Sequence, residues 1–479
     1  MSRGPSRSPL TILVLAAGLG KRMRSRRIKL LHQVAGRPMV AHVLEAARGL
    51  GPARRITVIG HQADEVREAL ADLSDDFVLQ EDQRGTGHAV LVAAPLLRRA
   101  RPSTLLILNG DLPTLRPATL RALVARHRRS GAALTLVSAE IPDPTGYGRV
   151  VRDPSGRVLR IVEHRDASPA EREIPEINCG IYCADAGKLL AVLRSLEPAN
   201  AQGEYYLTDA VHRLLERGEK VVAVRHDDPE EVLGVNTRAE LARAGLTLYA
   251  RKAAALQDAG VTLLDPSRTW VDPRARVGRD TVLYPDVIVE GRSIIGEECT
   301  VRSGCRLVDV VLGRGVEIKD HSVIEASRLK DGSSAGPFSH LRPGSILDPG
   351  AKIGNFVEMK KTRLGRGSKA QHLSYLGDAT IGPGCNIGAG TITCNYDGRR
   401  KHPTTLGPGV FIGSDTQLVA PVRVGKGAYV AAGTTITENV PAGALAIGRA
   451  RQVNVLGWVE RQKNKIKKEE KRKTAPRRR

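Results

Sequence analysis

Cysteine is scarce here. Six cysteines occur in 479 residues, and no two form a CxxC pair. Cys179 and Cys183 are four apart, and Cys299 and Cys305 are six apart. Such spacing excludes a disulfide framework and a zinc cluster. It leaves reduced thiols in a cytosolic protein as the expectation. Long apolar runs are also missing. No stretch of about 18 uncharged apolar residues exists, so no transmembrane helix is expected. The basic opening MSRGPSRSPL lacks the roughly 7–15-residue apolar core and cleavage site of a signal peptide. TILVLAAG reads instead as a buried strand and turn. Aromatic residues are absent from the basic run Arg461–Arg479, which holds eleven basic and two acidic residues and therefore carries +9. Such a block reads as a solvated, disordered tail. Without aromatics to stack on bases, a specific nucleic-acid function is not expected. Contact with an anionic membrane surface is the other use such a tail could have.

Apolar residues make up 41 % of the chain, enough for real cores. At about 150 residues per domain, the length suits three domains or two large ones. The net charge of +23 favours anionic partners, including small anionic substrates.

From Leu10 to about Val235 the chain alternates short apolar runs with helical patterns. TILVLAAG, RITVIG, TLLILNGD and AALTLVSAE read as strands. MVAHVLEAARGL and ATLRALVARHRRS read as helices. This alternation predicts βαβ units and a mainly parallel sheet. Ligands of such sheets bind beyond the carboxyl ends of the strands, where LAAG and LNGD lie. From Asn236 to Ala259 the pattern is helical and reads as a connecting arm, with Gly260 as its stop.

After that the period becomes six. Val271, Val277, Leu283, Val289, Ile295, Val301 and Leu307 are each six apart. Four places later stand Ala275, Thr281, Val287, Ser293, Cys299 and Cys305, nearly all small. The register returns at Leu406, Ile412, Leu418, Val424, Val430 and Ile436. This spacing predicts a parallel β-helix with aliphatic residues pointing inward and small residues in tight inner slots. Three stretches break the count: Ala326 to His340, Met359 to Thr380 and Cys394 to Thr405. They read as loops on one face, the face where solenoids bind.

The motifs carry a resemblance. LAAGLGKRMRSRRIKLLH looks like the signature loop of sugar-phosphate nucleotidyltransferases. LQEDQRGTGHAV, GYGRVV, IVEHRDA, EINCGIY, GEYYLTDAV and GVNTRAEL follow in family order. LRPGSIL, IGNFVEMKKTRLGRGSKAQHLSYLGDA, NIGAGTITCNYDG and FIGSDTQLVAP continue it. From Leu10 to Trp458 the chain resembles the bifunctional bacterial N-acetylglucosamine-1-phosphate uridylyltransferase/glucosamine-1-phosphate N-acetyltransferase family. The resemblance implies an α/β fold: a Rossmann-like nucleotidyltransferase domain plus a C-terminal left-handed parallel β-helix of hexapeptide repeats. It divides the chain into a disordered basic N-terminus (1–9), a nucleotidyltransferase domain (10–235), a helical arm (236–262), a β-helix acetyltransferase domain (263–456) and a basic tail (457–479).

The resemblance also implies roles. Leu15, Ala16, Ala17, Gly18, Asn109 and Gly110 line the nucleotide site, with Lys29 on the phosphates as a catalytic residue. Asp111 and Asn236 hold Mg²⁺, which keeps water and phosphate oxygens in its other positions. Gln80, Gly85 and Thr86 resemble the uracil-reading group, and Gly148, Glu163 and Asn178 the sugar holders. His372 resembles the acetyl-transfer base, since an ammonium must lose a proton before it attacks a thioester. Arg342, Lys360, Tyr375, Asn386 and Lys401 resemble the amino-sugar phosphate contacts, with Glu358 beside the base. Ala389, Asn395, Tyr396, Ser414, Ala432 and Arg449 resemble acetyl-CoA contacts. The implied substrates are UTP, glucosamine 1-phosphate and acetyl-CoA, the implied assembly a homotrimer, and the product a cell-wall precursor made in the cytoplasm. The chain departs from the family pattern at Lys21, Ile28, Asn109 and Cys179, which bear on uridine selectivity and on the first reaction. Two rival readings stand beside this one: a single-activity nucleotidyltransferase with a regulatory β-helix, and a basic scaffold or nucleic-acid-binding protein.

Overall fold

The computed structural model describes residues 9–18, 20–100, 104–198 and 200–474. The first eight residues of the expected N-terminal segment lie outside it. The chain divides into two compact units. One runs to Ala259 and includes Asp265–Ala275 and Val289–Gly291; the other holds Gly260–Leu264, Arg276–Ile288 and the chain from Arg292 onward.

The first unit is a twisted sheet between two cores. Strand Leu10–Ala16 has Leu10, Ile12, Val14 and Ala16 in one core and Leu13 in the other. That is why its sequence is apolar apart from the buried Thr11. Its parallel neighbours are Arg54–Ile59 and Thr104–Asn109. The sheet order is Val221–Arg225, Leu134–Glu140, Glu176–Ala184, Thr104–Asn109, Leu10–Ala16, Arg54–Ile59, Asp76–Leu79. Glu176–Ala184 is antiparallel to both neighbours, which makes the sheet mixed. Helix Met39–Arg48 buries Met39, Val40, Val43 and Leu44 on one face, and helix Ala186–Leu193 buries Leu189, Leu190 and Leu193 on the other.

The predicted arm is helix Arg238–Asp258, and it is counted within the first unit. Thr237 and Glu240 form a capping box at its start. The Glu240 carboxylate also accepts the N–H of Asn236 at 2.5 Å.

The second unit is a parallel β-helix. One face stacks Val277, Ile295, Leu312, Leu329, Leu347, Leu364, Ile381, Leu406 and Val424 in register. Coils are therefore 17 or 18 residues long, except for one of 25 between Ile381 and Leu406. Two of the three predicted interruptions need correcting. Ala326–His340 and Met359–Thr380 are not loops; each coil there drops one residue at a corner, and the strands continue. Strands Lys352–Lys360 and Lys369–Gly377 in fact run on over nine residues each. Only Cys394–Thr405 is an insertion. The small residues bind as well as fit. Thr281 Oγ1, Cys299 Sγ and Ser368 Oγ donate to the carbonyls of Gly296, Gly313 and Gly382 in the next coil at 2.8, 3.0 and 2.7 Å.

The basic tail also differs from expectation. Trp458–Thr474 is a helix, with Trp458, Val459 and Ile466 exposed. Lys, Glu and Arg are good helix formers, and from Trp458 to Glu470 all side chains but the half-buried Gln462 are exposed. Among the described residues no helix is long and apolar enough to cross a membrane.

Coil spacing admits a direct test. A methyl group on Gly365 would collide with the Gly382–Pro383 backbone, whereas Gly367 faces open space at φ +66°. Gly365→Ala should destabilise the second unit by about 2–3 kcal/mol. Gly367→Ala should cost only the left-handed strain of about 1–2 kcal/mol. Urea unfolding followed by circular dichroism measures both.

Candidate functional sites

The first site forms where the order of the sheet reverses. After Leu10–Ala16 the chain adds strands on one side, then crosses to place Thr104–Asn109 on the other. Leu15 and Asn109 are register partners at the carboxyl ends of these two strands. Beyond them opens a cleft of about 520 Å³. It is lined by Leu15, Ala17, Gly18, Lys29, Gln80, Gly85, Thr86, Asn109, Gly110, Asp111 and Glu163. A second cleft of about 200 Å³ shares Thr86, Asn109, Asp111 and Glu163 with the first and adds Gly148, Asn178 and Asn236. Ala16 is buried in the sheet and lines neither.

Lys29 is the centre of the polar network. Its ammonium donates to Asp111 Oδ2 at 2.6 Å and to Asn236 Oδ1 at 3.0 Å. Two oxygens from distant parts of the chain thus converge on one cation. Gln80 is buried, and its amide donates to the Gly85 carbonyl at 3.1 Å. Glu163 accepts the Thr208 hydroxyl at 3.0 Å. Burial nonetheless holds its carboxyl above the ordinary glutamate range. Asn178 donates to the Tyr182 hydroxyl at 2.6 Å.

The departures from the family pattern have local reasons. Ile28 is buried, and its N–H donates to Gln62 Oε1 at 2.9 Å, a bond a proline could not make. The Asn109 amide lies against Gly180, where φ is +69° and a Cβ would overlap it. Cys179 faces the smaller cleft, and burial pushes its thiol up to about 12. The Lys21 side chain lies outside the described residues.

The second site is on the β-helix. Arg342 donates to Glu358 Oε1 at 2.9 Å. Glu358 and Tyr375 are register partners on adjacent coils, as are Lys360 and Gly377. Lys401 reaches Lys360 from the inserted loop, and its ammonium holds that of Lys360 below the usual lysine range. A lysine pair in which one ammonium lowers the other's affinity for protons in this way attracts an anion. Asn386 is exposed on its own short strand, in register with Lys369.

His372 is not in a loop, as the broken count had suggested. It lies in strand Lys369–Gly377, opposite Asn355, with its ring exposed. The next residue, Leu373, has φ +43° and turns the coil from one face to the next. The same corner recurs at Ala389, Ser414 and Ala432, after 17, 25 and 18 residues. Gly390, Asp415 and Gly433 N–H groups link these corners to Leu373, Ala389 and Ser414 carbonyls at 2.9, 2.7 and 2.8 Å. Arg449 donates to the Ala432 carbonyl at 2.5 Å. One column thus holds the expected base and three expected acetyl-CoA contacts, and the Arg449 side chain reaches it from the next coil. Tyr396 is exposed nearby in sequence. Asn395 is buried, and its amide donates to Asp378 Oδ2 at 2.6 Å and approaches the Tyr375 hydroxyl at 3.5 Å.

Comparison with known proteins gives the same division. Residues 12–171 match the MobA-like NTP transferase domain, and residues 403–438 match the bacterial transferase hexapeptide (six repeats). The bifunctional protein GlmU of Pelobacter propionicus is 51 % identical over 454 residues, 95 % of this chain and 98 % of that protein. The chain belongs to the GlmU family. Other members include bifunctional protein GlmU of Brevibacillus brevis, at 48 % identity over 96 % of this chain and 100 % of that protein. The Anaeromyxobacter (strain Fw109-5) protein is 50 % identical over 97 % of this chain and 94 % of its own length.

Sequence reasoning had not found Thr208, Tyr182, Asp378 or Glu240. They act only through a neighbour, so no motif advertises them. Glu163 yields a prediction. Its raised pKa means that its stabilising share is present below the unfolded value of 4.5 and lost as pH rises through the folded value. Glu163→Gln should therefore be more stable than the parent at pH 7 and not below pH 4. Melting temperatures across that range check the sign.

Proposed function

We propose that this chain makes UDP-N-acetylglucosamine in two steps at two sites. On the β-helix, an acetyl group passes from acetyl-CoA to glucosamine 1-phosphate. In the nucleotidyltransferase unit, the product attacks UTP and releases pyrophosphate. The observation that carries this reading is the corner column of His372, Ala389, Ser414 and Ala432, which the Arg449 guanidinium meets at the Ala432 carbonyl. A regulatory solenoid needs no such alignment of an exposed imidazole with small corner residues. A linear thioester does, because its reactive end must meet the base while its arm runs along the edge.

In this reading Arg342, Lys360 and Lys401 receive the sugar phosphate. His372 takes a proton from the sugar ammonium. The free amine attacks the thioester carbonyl, the C–N bond forms, and the C–S bond breaks with coenzyme A leaving. Glu358 orients Arg342 through their ion pair. Ser414, Ala432 and Arg449 hold acetyl-CoA.

In the first unit the backbone at Leu15–Gly18 faces the phosphates, and Lys29 bears their charge. Asp111 and Asn236 fit Mg²⁺, since two hard oxygens already reach one cation position. Bound there, Mg²⁺ would neutralise phosphate charge. Gln80, Gly85 and Thr86 read uracil, and Gly148, Glu163 and Asn178 hold the sugar. The assembly in this reading is a homotrimer, supported by exposed Phe338, Phe356 and Leu373 beside the His372 corner.

Two variants test the assignment together. His372→Ala should lower acetyl transfer about 10²-fold or more, roughly 2.7 kcal/mol of barrier, and spare uridylyl transfer. Raising the pH should recover part of the loss by supplying free amine. Asp111→Ala should do the converse, suppressing pyrophosphate release while acetylation stays near normal. Assays of each product with purified folded protein decide it; equal loss of both activities in either variant would refute two separate sites.

A further inference from the structure

The inserted loop carries an unbalanced charge. Between Asn395 and Thr405 stand Arg399, Arg400, Lys401 and His402, against a single acid, Asp397. Lys401 pairs with Tyr396 next to Asn395, which bonds Asp378, and the Asp378 N–H donates to the Lys360 carbonyl at 2.9 Å, so the loop lysine is brought to the Lys360 coil. Like charges so placed repel, and water would welcome each of them separately. An exposed loop of this composition should let its lysine swing outward.

Asp397 opposes that. Its carboxylate accepts the backbone N–H groups of Arg399 and Arg400 at 2.7 and 2.6 Å. It also accepts the His402 Nε2–H at 2.7 Å. Its own N–H donates to the Arg400 carbonyl at 3.2 Å. At the base, the His402 N–H donates to the Asn395 carbonyl at 2.8 Å, and Tyr396 faces Lys401 in an antiparallel bridge. Asn395 anchors the strand to Asp378. The loop is thus a small hairpin, closed at its tip by one carboxylate and fastened at its base to the coil.

We propose that Asp397 and His402 are positioning residues for acetyl transfer, a clasp that holds Lys401 beside Lys360 so that the two ammoniums form one phosphate receptor. Neither touches the reacting atoms; both act through Lys401. The inference rests on the reading that Lys360 and Lys401 receive the phosphate of glucosamine 1-phosphate.

The test is steady-state acetyl transfer by the full-length protein, with limited trypsin digestion alongside. Asp397→Ala should raise KM for glucosamine 1-phosphate about tenfold, keep kcat within threefold and leave uridylyl transfer unchanged. It should also speed tryptic cleavage after Arg399 and Arg400. Asp397→Asn keeps an acceptor for the two N–H groups and should restore KM to within threefold of the parent. An unchanged KM in Asp397→Ala, or a fall in kcat matching the rise in KM, overturns the clasp. So does a defect that Asp397→Asn fails to rescue. Lys401→Ala separates the two levels of the argument. If it raises KM while Asp397→Ala does not, the clasp alone fails; if it leaves KM unchanged, the phosphate reading fails and the clasp with it.

Discussion

Close stacking of successive coils is the constraint on which the second unit depends. Each coil lies so near the next that glycines such as Gly365 have no room for a methyl group. Small residues at the inner slots bond the carbonyl above, as Cys299 does with Gly313. Inward aliphatics then stack in register, each fully buried side chain contributing roughly 1.5–3 kcal/mol. Coil length can vary only by one residue at a corner, or by a loop that leaves the solenoid altogether.

That rigidity is what creates a functional surface. Corners repeat, so residues 17, 18 or 25 apart in the chain become neighbours in one column. His372 and Ala432 are 60 positions apart in sequence, yet they stand on the same edge. The inserted loop returns to the solenoid at Thr404–Leu406 in register with Ala379–Ile381, so the column above it is undisturbed. The insertion therefore adds a wall to the site without breaking its floor.

The first unit solves the analogous problem with a sheet. Strand order reverses between Leu10–Ala16 and Thr104–Asn109, and the ends diverge to leave a cleft. Asn236 reaches the smaller adjoining cleft from the start of a later helix, held there by the Glu240 that caps it. Charge is then concentrated on Lys29, which two distant segments of chain meet through Asp111 and Asn236.

Much of this was legible in the residues. The period of six specified the β-helix because inward positions admit only aliphatics. Alternating apolar runs and helical patterns specified the first sheet, whose two covered faces make its strands mostly apolar. Motif order carried the family, and nearly all the nucleotide-site residues meet in the paired clefts. Other features depend on three-dimensional proximity. A corner that drops one residue looks like a lost repeat in sequence, so His372 read as a loop residue although it lies in a strand. The antiparallel setting of Glu176–Ala184 between Thr104–Asn109 and Leu134–Glu140 joins strands far apart in sequence. The burial of Asn395 against Asp378, the Ile28 bond to Gln62 and the Asp397 clasp join residues whose types are common everywhere. Periodicity is written locally, because each residue needs only to know its face; partnership is decided by the packed chain, because a hydrogen bond exists only once both ends have been brought within 3.5 Å or so.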